Sequence, residues 1–199
     1  MREIVTAGQL SSMLEAHIAQ IAPEWLAKKP DLRARLTETF ADDPATALIP
    51  AMSYEEFLKW AAKHNLHAEW VGGEVIVMSP ASIRHQLLVM FLSTLLNLYI
   101  SRHNLGILLN APFQMRLHNP PRGREPDIAF VTHASATRFT AQYLDGPADL
   151  VIEIISPESI ARDRGEKFYE YEAAGVREYW LIDPQREQAE FYQLDAQGQ

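Results

Sequence analysis

Between residues 149 and 184 the hydrophobic pattern changes period twice. Leu150-Val151-Ile152-Glu153-Ile154-Ile155 is a nearly continuous apolar run rich in β-branched residues, which predicts a strand buried on both faces. Ser156-Pro157-Glu158-Ser159 breaks it. From about Arg162 to Ala174 the spacing becomes helical, and Gly175 supplies the stop. Glu178 to Ile182 returns as a strand, closed by Asp183-Pro184. The expectation is a strand–helix–strand unit with a right-handed crossover.

The same reading applies to the rest of the chain. Two helices are expected before residue 50, near Gln9 to Ile21 and near Asp31 to Phe40, as an extension that packs or dimerises rather than catalyses. Residues 51–199 then form one α/β domain. Ser53-Tyr54-Glu55-Glu56 has the capping-box pattern and starts a helix through about His64. Two short strands flank Gly72-Gly73 as a hairpin. Ile83 to about Arg102 is a helix apolar almost all round, expected to lie between layers or in an oligomer interface, which makes a homodimer the oligomer the pattern favours. His85, Gln86, Ser93, Thr94 and Asn97 interrupt it, so it reads as a core helix and no membrane association is expected. Gly106 to Leu117 predicts one or two strands with a break near Pro112, and Asn119 to Arg124 a loop. Ile128 to Val131 is a short apolar strand, and 132–148 a loop or short helix. Ala189 to Leu194 is the last strand.

Composition narrows the chemistry. The chain has 199 residues and no cysteine, so disulfides and thiolate metal sites are excluded. A metal would be held by carboxylate, imidazole, carbonyl or water, which favours Mg²⁺ or Mn²⁺. The start is not followed by an apolar signal core, and the cytoplasm is the expected location. A net charge of −8 argues against indiscriminate nucleic-acid binding while leaving room for a local basic groove.

Four residues stand out against this background. Glu153 is a carboxylate inside a dry strand, so it must be protonated, paired or bound to a cation. Lys167 falls on the helix face between Tyr171 and Ala174, with Tyr169 opposite, from where it reaches over the sheet toward Glu153; pairing with Asp163 or snorkelling from the surface is the competing reading. Asp127 follows Pro126 at a strand mouth, where it either caps the turn or faces the same cleft. His85 lies on the buried stripe of its helix, as a core residue or a site residue. Two carboxylates and a lysine in this order suit metal-assisted phosphodiester hydrolysis, with the lysine orienting water or stabilising developing charge.

Short motifs through the chain carry a family likeness. They include Met52-Ser53-Tyr54-Glu55-Glu56-Phe57, Gly73 to Pro80, Arg84-His85-Gln86, Glu125-Pro126-Asp127-Ile128, Asp149 to Pro157, Arg162 to Lys167, and Tyr171 to Pro184. From about Met52 to Leu194 the chain resembles the Uma-type restriction endonuclease family of bacteria, in the PD-(D/E)XK nuclease superfamily. The resemblance implies a restriction-endonuclease-like α/β core, a mixed sheet flanked by helices. Residue by residue, it puts Asp127 at the PD position and Glu153 at the acidic position. The usual lysine position, two residues on, is Ile155 here, and Lys167 matches a lysine relocated to the following helix. Glu74, or less readily Glu69, matches the outer acidic position; His85 matches a position near the cleft, and the Ile154 carbonyl a metal ligand. Relatives of this kind run further past the last strand than Gln199, so an incomplete wall of the site is also expected.

Two functions follow from these readings. One is a Mg²⁺- or Mn²⁺-dependent DNA endonuclease in which Arg122, Arg124, Arg162 and Arg164 contact phosphates. The other is a catalytically idle nuclease fold used for dimerisation or partner binding.

Overall fold

The computed structural model describes Ile49 and residues 51–194. The two helices expected before residue 50 lie outside the described residues. The compact unit opens at Met52.

Helix α1, Tyr54–His64, starts at the expected capping box. The Glu56 amide donates to Ser53 Oγ at 3.3 Å, and the Ser53 amide donates to Glu56 Oε2 at 2.8 Å. Strands β1, Ala68–Val71, and β2, Glu74–Val77, form the predicted hairpin, with Gly72 and Gly73 both at positive φ. Helix α2 spans Ile83–His103, followed by β3, Gly106–Asn110, and β4, Gln114–His118, on either side of Pro112.

The stretch expected as a loop at 119–124 is instead largely strand. Strand β5, Pro121–Arg124, pairs with β4 on one side and β1 on the other. Pro, Gly and two arginines carry little strand propensity, so the sequence pattern hides this central strand. Tertiary fit explains it: a Cβ on Gly123 would stand 2.4 Å from Tyr54 Cε2, so only glycine lets α1 close over the sheet there. Strand β6, Ile128–Thr132, is followed by a short 3₁₀ turn, β7 at Tyr143–Asp145, and β8 at Leu150–Ile154. A widened π-type turn at Arg162–Glu166 leads into α3, Lys167–Ala174, which ends at Gly175 with φ 85°. Strands β9, Glu178–Asp183, and β10, Gln188–Gln193, complete the unit.

The strands form two five-stranded sheets, in the orders β2-β1-β5-β4-β7 and β10-β9-β8-β6-β3. Only β4–β7 and β8–β9 are parallel, so both sheets are mixed. The main core takes Met115, Leu117 and Leu144 from the first sheet, Val131, Val151 and Leu181 from the second, and Tyr171 from α3. On the other face of the second sheet, Ile128, Leu150 and Ile152 pack against Val89, Leu92 and Leu96 of α2. Strand alternation therefore sends even-numbered residues of β8 toward α2 and odd-numbered ones, Glu153 among them, toward α3.

The burial of α2 departs from expectation. Its inner face packs as described, but Leu87, Met90, Phe91, Leu95, Leu98 and Tyr99 are exposed on the outer face. By length and composition the helix is long and apolar enough to cross a membrane. Its contacts with the sheet make it part of the domain core instead.

Candidate active site

Strand pairing brings the first two predicted residues near each other. Strands β6 and β8 pair antiparallel with Ile128 opposite Ile152, Asp127 directly precedes that pair, and its charge is near enough to Glu153 to raise the pKa of that carboxyl. Asp127 Oδ2 accepts the Ile154 amide at 2.7 Å, which fastens the Pro-Asp turn to β8. The same oxygen is 3.0 Å from His85 Nε2, delivered by the inner face of α2. Burial disfavours a charge on His85, yet the Asp127 carboxylate overrides it and raises the imidazole pKa.

Glu153 faces α3. Its Oε1 accepts from Lys167 Nζ at 2.9 Å and from the Tyr171 hydroxyl at 2.8 Å. Burial, with Asp163, Asp127 and Glu69 nearby, pushes its carboxyl up to about 8 although Lys167 opposes the shift. Lys167 reaches Glu153 and also lies 3.4 Å from Asp163 Oδ1 one turn earlier, and because it is buried it does not snorkel to the surface. Asp163, Lys167 and Tyr171 are all buried. The widened turn between the first two keeps all three aimed at the sheet, where a regular helix would rotate them progressively around its axis.

The third partner of Lys167 comes from the other sheet. Glu69 Oε1, in β1, is 3.1 Å from Lys167 Nζ. Burial pushes Glu69 up, but Lys167 and Arg124 outweigh it and bring the carboxyl down to about 2. Arg124 Nη1 donates to Glu69 Oε2 at 2.7 Å, and its Nε and Nη2 donate to Glu170 Oε2 at 2.9 and 2.6 Å. Burial alone would depress Arg124; Glu69 leads the groups that hold it charged.

A Pro-Asp turn near a strand glutamate, with a lysine bound to that glutamate, is the arrangement expected of a nuclease core. The family model described as "Uma2: Putative restriction endonuclease" matches residues 54–199. The chain belongs to the Uma2 family. A protein of Synechocystis sp. (strain ATCC 27184 / PCC 6803 / Kazusa), the uncharacterized protein slr1290, is 27% identical over 154 residues, covering 77% of this chain and 80% of its own. The crystal structure of a "putative nuclease belonging to DUF820" from Anabaena variabilis ATCC 29413 superposes with TM-score 0.54 at 18% identity, over 63% of this chain and 71% of its own. The Uma2 chain thus has a mixed α/β, restriction-endonuclease-like fold, built here from two sheets.

Several expected residues of this Uma2 site stand elsewhere. Glu74 is exposed at the hairpin, opposite Val71, and the carboxylate that reaches Lys167 is Glu69. The hairpin register decides this: Glu69 pairs with Ile76 in mid-strand, so its side chain is carried inward, while Glu74 adjoins the turn. Arg124 is fully enclosed between Glu69 and Glu170, and so has no face to offer a phosphate. Arg122, on the same face of β5, donates from Nε to Glu170 Oε1 at 2.5 Å. Arg164 is held by Asp183 and Glu190. Arg162 remains close enough to Glu69 to lower its pKa, half-buried and with its Nε lacking a hydrogen-bond partner among the described residues.

Tyr171 and Glu170 complete the site without having been singled out from sequence. Tyr171 stands four residues beyond Lys167 on the same helical face, so spacing alone carried its signal. Glu170 carried none, because its arginine partners sit on the strand hidden by composition.

Proposed function

We propose that this Uma2 chain is a divalent-metal-dependent endonuclease that hydrolyses phosphodiester bonds in DNA. The observation that carries the reading is the Lys167 ammonium bonded to Glu153, with the Asp127 carboxylate bonded to the amide of the next residue, Ile154.

The donor set suits a hard cation. No group of three or more acidic or imidazole side chains able to hold a metal occurs among the described residues. We assign the Asp127 and Glu153 carboxylates and the Ile154 carbonyl as the groups that would hold Mg²⁺ or Mn²⁺, with water filling the remaining positions, as Mg²⁺ sites with few protein ligands require. Lys167 and Tyr171 both bond to Glu153 Oε1, leaving Oε2 out of either bond. Burial pushes the Glu153 carboxyl up to about 8, so a cation binds there in competition with its proton and binding strengthens as pH rises. When bound, such a cation polarises a phosphate and acidifies a coordinated water.

The chain's own residues divide the remaining work. His85 and the Ile154 amide orient Asp127. Glu69 and Asp163 keep Lys167 charged, so it presents a positive group beside the reacting oxygen atoms. Arg162, whose Nε lacks a hydrogen-bond partner among the described residues, is the cation we assign to a DNA backbone.

Titration calorimetry with Mg²⁺ and Mn²⁺ tests the reading. Binding that vanishes in Glu153→Gln and Asp127→Asn, with metal-dependent cleavage of plasmid DNA lost in the same variants, is the expected result. Full cleavage activity in either variant sinks the assignment.

One observation favours a second reading, a nuclease fold that only binds partners. Arg122, Arg124 and Arg164 are all bound to internal carboxylates, and the chain carries a net charge of −8. Absence of both metal binding and cleavage in the unmodified chain supports it.

A further inference from the structure

We infer that the outer face of α2 is a dimer interface, occupied by a second copy of this chain. Leu87, Met90, Phe91, Leu95, Leu98 and Tyr99 are each 54–66% exposed. At about 100° per residue they cover roughly half of the helix circumference along its length. Side chains of this size bury roughly 150–200 Å² each when covered, so the exposed part of the six is on the order of 600 Å². That lies at the upper end of what a typical monomer exposes as one patch. It also approaches the roughly 800 Å² that each partner contributes to a stable interface before flanking residues are counted.

Two hydroxyls of α2 already have partners within the chain. The Thr94 hydroxyl donates to the Met90 carbonyl at 2.8 Å, so it is satisfied without water. The Ser93 hydroxyl accepts from the Asn110 side chain at 2.7 Å.

The patch also suits a copy of itself. The apolar positions are disposed about the middle of the helix: Leu87 lies as far before Ser93 as Tyr99 lies after it, and Phe91 likewise mirrors Leu95. A two-fold axis near Ser93 would set Leu87 against Tyr99 and Phe91 against Leu95, giving a closed contact between identical surfaces. A membrane fits less well. The opposite face of α2 packs on Ile128, Leu150 and Ile152, so entry into a bilayer would dismantle that core. A net charge of −8 would also repel an anionic lipid surface.

The interface bears on the proposed nuclease without depending on it. The inner side of α2 delivers His85 to Asp127. Two copies joined through α2 would tether two candidate sites in one particle, as cleavage of both strands of a duplex requires.

The test uses the full chain by sedimentation equilibrium at micromolar concentration, beside Phe91→Lys and, separately, Leu98→Gln. The unmodified chain should have the mass of a dimer. Both variants should shift toward monomer while keeping the native circular dichroism spectrum, since neither residue belongs to the cluster of Val89, Leu92 and Leu96 packed on the sheet. A monomeric unmodified chain, or folded variants that remain dimeric, overturns the proposal. Hydroxyl-radical footprinting of the unmodified chain covers the case in which the variants fail to fold. Met90, Phe91 and Tyr99 should be protected relative to Tyr169, which is 66% exposed on α3. Equal labelling of Tyr99 and Tyr169, or monomers that co-sediment with phosphatidylglycerol vesicles through this helix, would also overturn it. A dimeric unmodified chain that cleaves no DNA would count against the nuclease reading alone.

Discussion

Lys167 Nζ stands 3.1 Å from Glu69 Oε1, and the two residues belong to elements on opposite sides of the junction between the sheets. This contact joins the helix that carries the candidate lysine to the strand that carries Arg124's partner. It couples the electrostatics of the site to the stability of the fold.

Glu69→Gln should therefore destabilise the protein. The change leaves Arg124 and Lys167 enclosed with less compensating charge, a defect that typically costs about 3–5 kcal/mol. Denaturant midpoints should fall accordingly. A loss below about 1 kcal/mol would mean that Glu153, Asp163 and Glu170 suffice to compensate both cations.

Stability should fall as pH rises from acid toward neutral on account of Glu125. Burial lifts its carboxyl from 4.5 to about 7, with Glu69 adding to the shift and the Gln114 amide opposing it. Between those values the unfolded chain has released this proton while the folded chain retains it, so rising pH favours unfolding. Glu153, lifted to about 8, acts in the same direction. Glu69 acts oppositely: lowered to about 2, it contributes stability above pH 4.5 that is lost on acidification. Urea midpoints across pH 5–8 should decline less steeply in Glu125→Gln than in the unmodified chain. Identical slopes would show that Glu125 titrates alike in both states.

Lys167→Met should separate chemistry from metal binding. Removing one preorganised positive group commonly lowers turnover by on the order of 10²-fold or more. Metal affinity measured by calorimetry should hold or rise, because Glu153 loses a competing cation. An unchanged rate would return Lys167 to a purely structural role, and the thermal transition of the same variant reports on that role.

Gly123→Ala should be disruptive although it adds one methyl group. The new carbon would meet Tyr54 Cε2 at 2.4 Å and Gln114 Oε1 at 3.0 Å, and Tyr54, the first residue of α1, is buried. Overpacking of this kind costs about 1–3 kcal/mol. A drop in the thermal midpoint with little loss at Gly165, where a Cβ meets nothing within 4 Å, is the expected contrast.

Much of this was legible along the chain because it depends on local period. The apolar run at β8, the capping box of α1 and the Gly72-Gly73 hairpin follow from residues close in sequence. The position of Lys167 relative to Tyr171 follows from helical geometry. Strand β5 escaped because Pro121, Gly123 and two arginines do not resemble a strand until Tyr54 and Glu170 are placed against them. The four arginines read as phosphate contacts for the same reason: charge is visible in sequence, but its partners are not.

The sequence by itself determined which residue types are available and on which faces of their own elements they stand. It put Glu153 in a dry strand, Lys167 on an inward helical face and Asp127 at a strand mouth. Tertiary structure decided which of those faces meet. The β6–β8 pairing let Asp127 bond the Ile154 amide, pairing in mid-strand brought Glu69 rather than Glu74 to Lys167, and sheet packing enclosed Arg124 while leaving the outer side of α2 uncovered. The physical reason is that a periodic pattern specifies orientation around one element's axis. The identity of a neighbour depends on how several elements, distant along the chain, share one core.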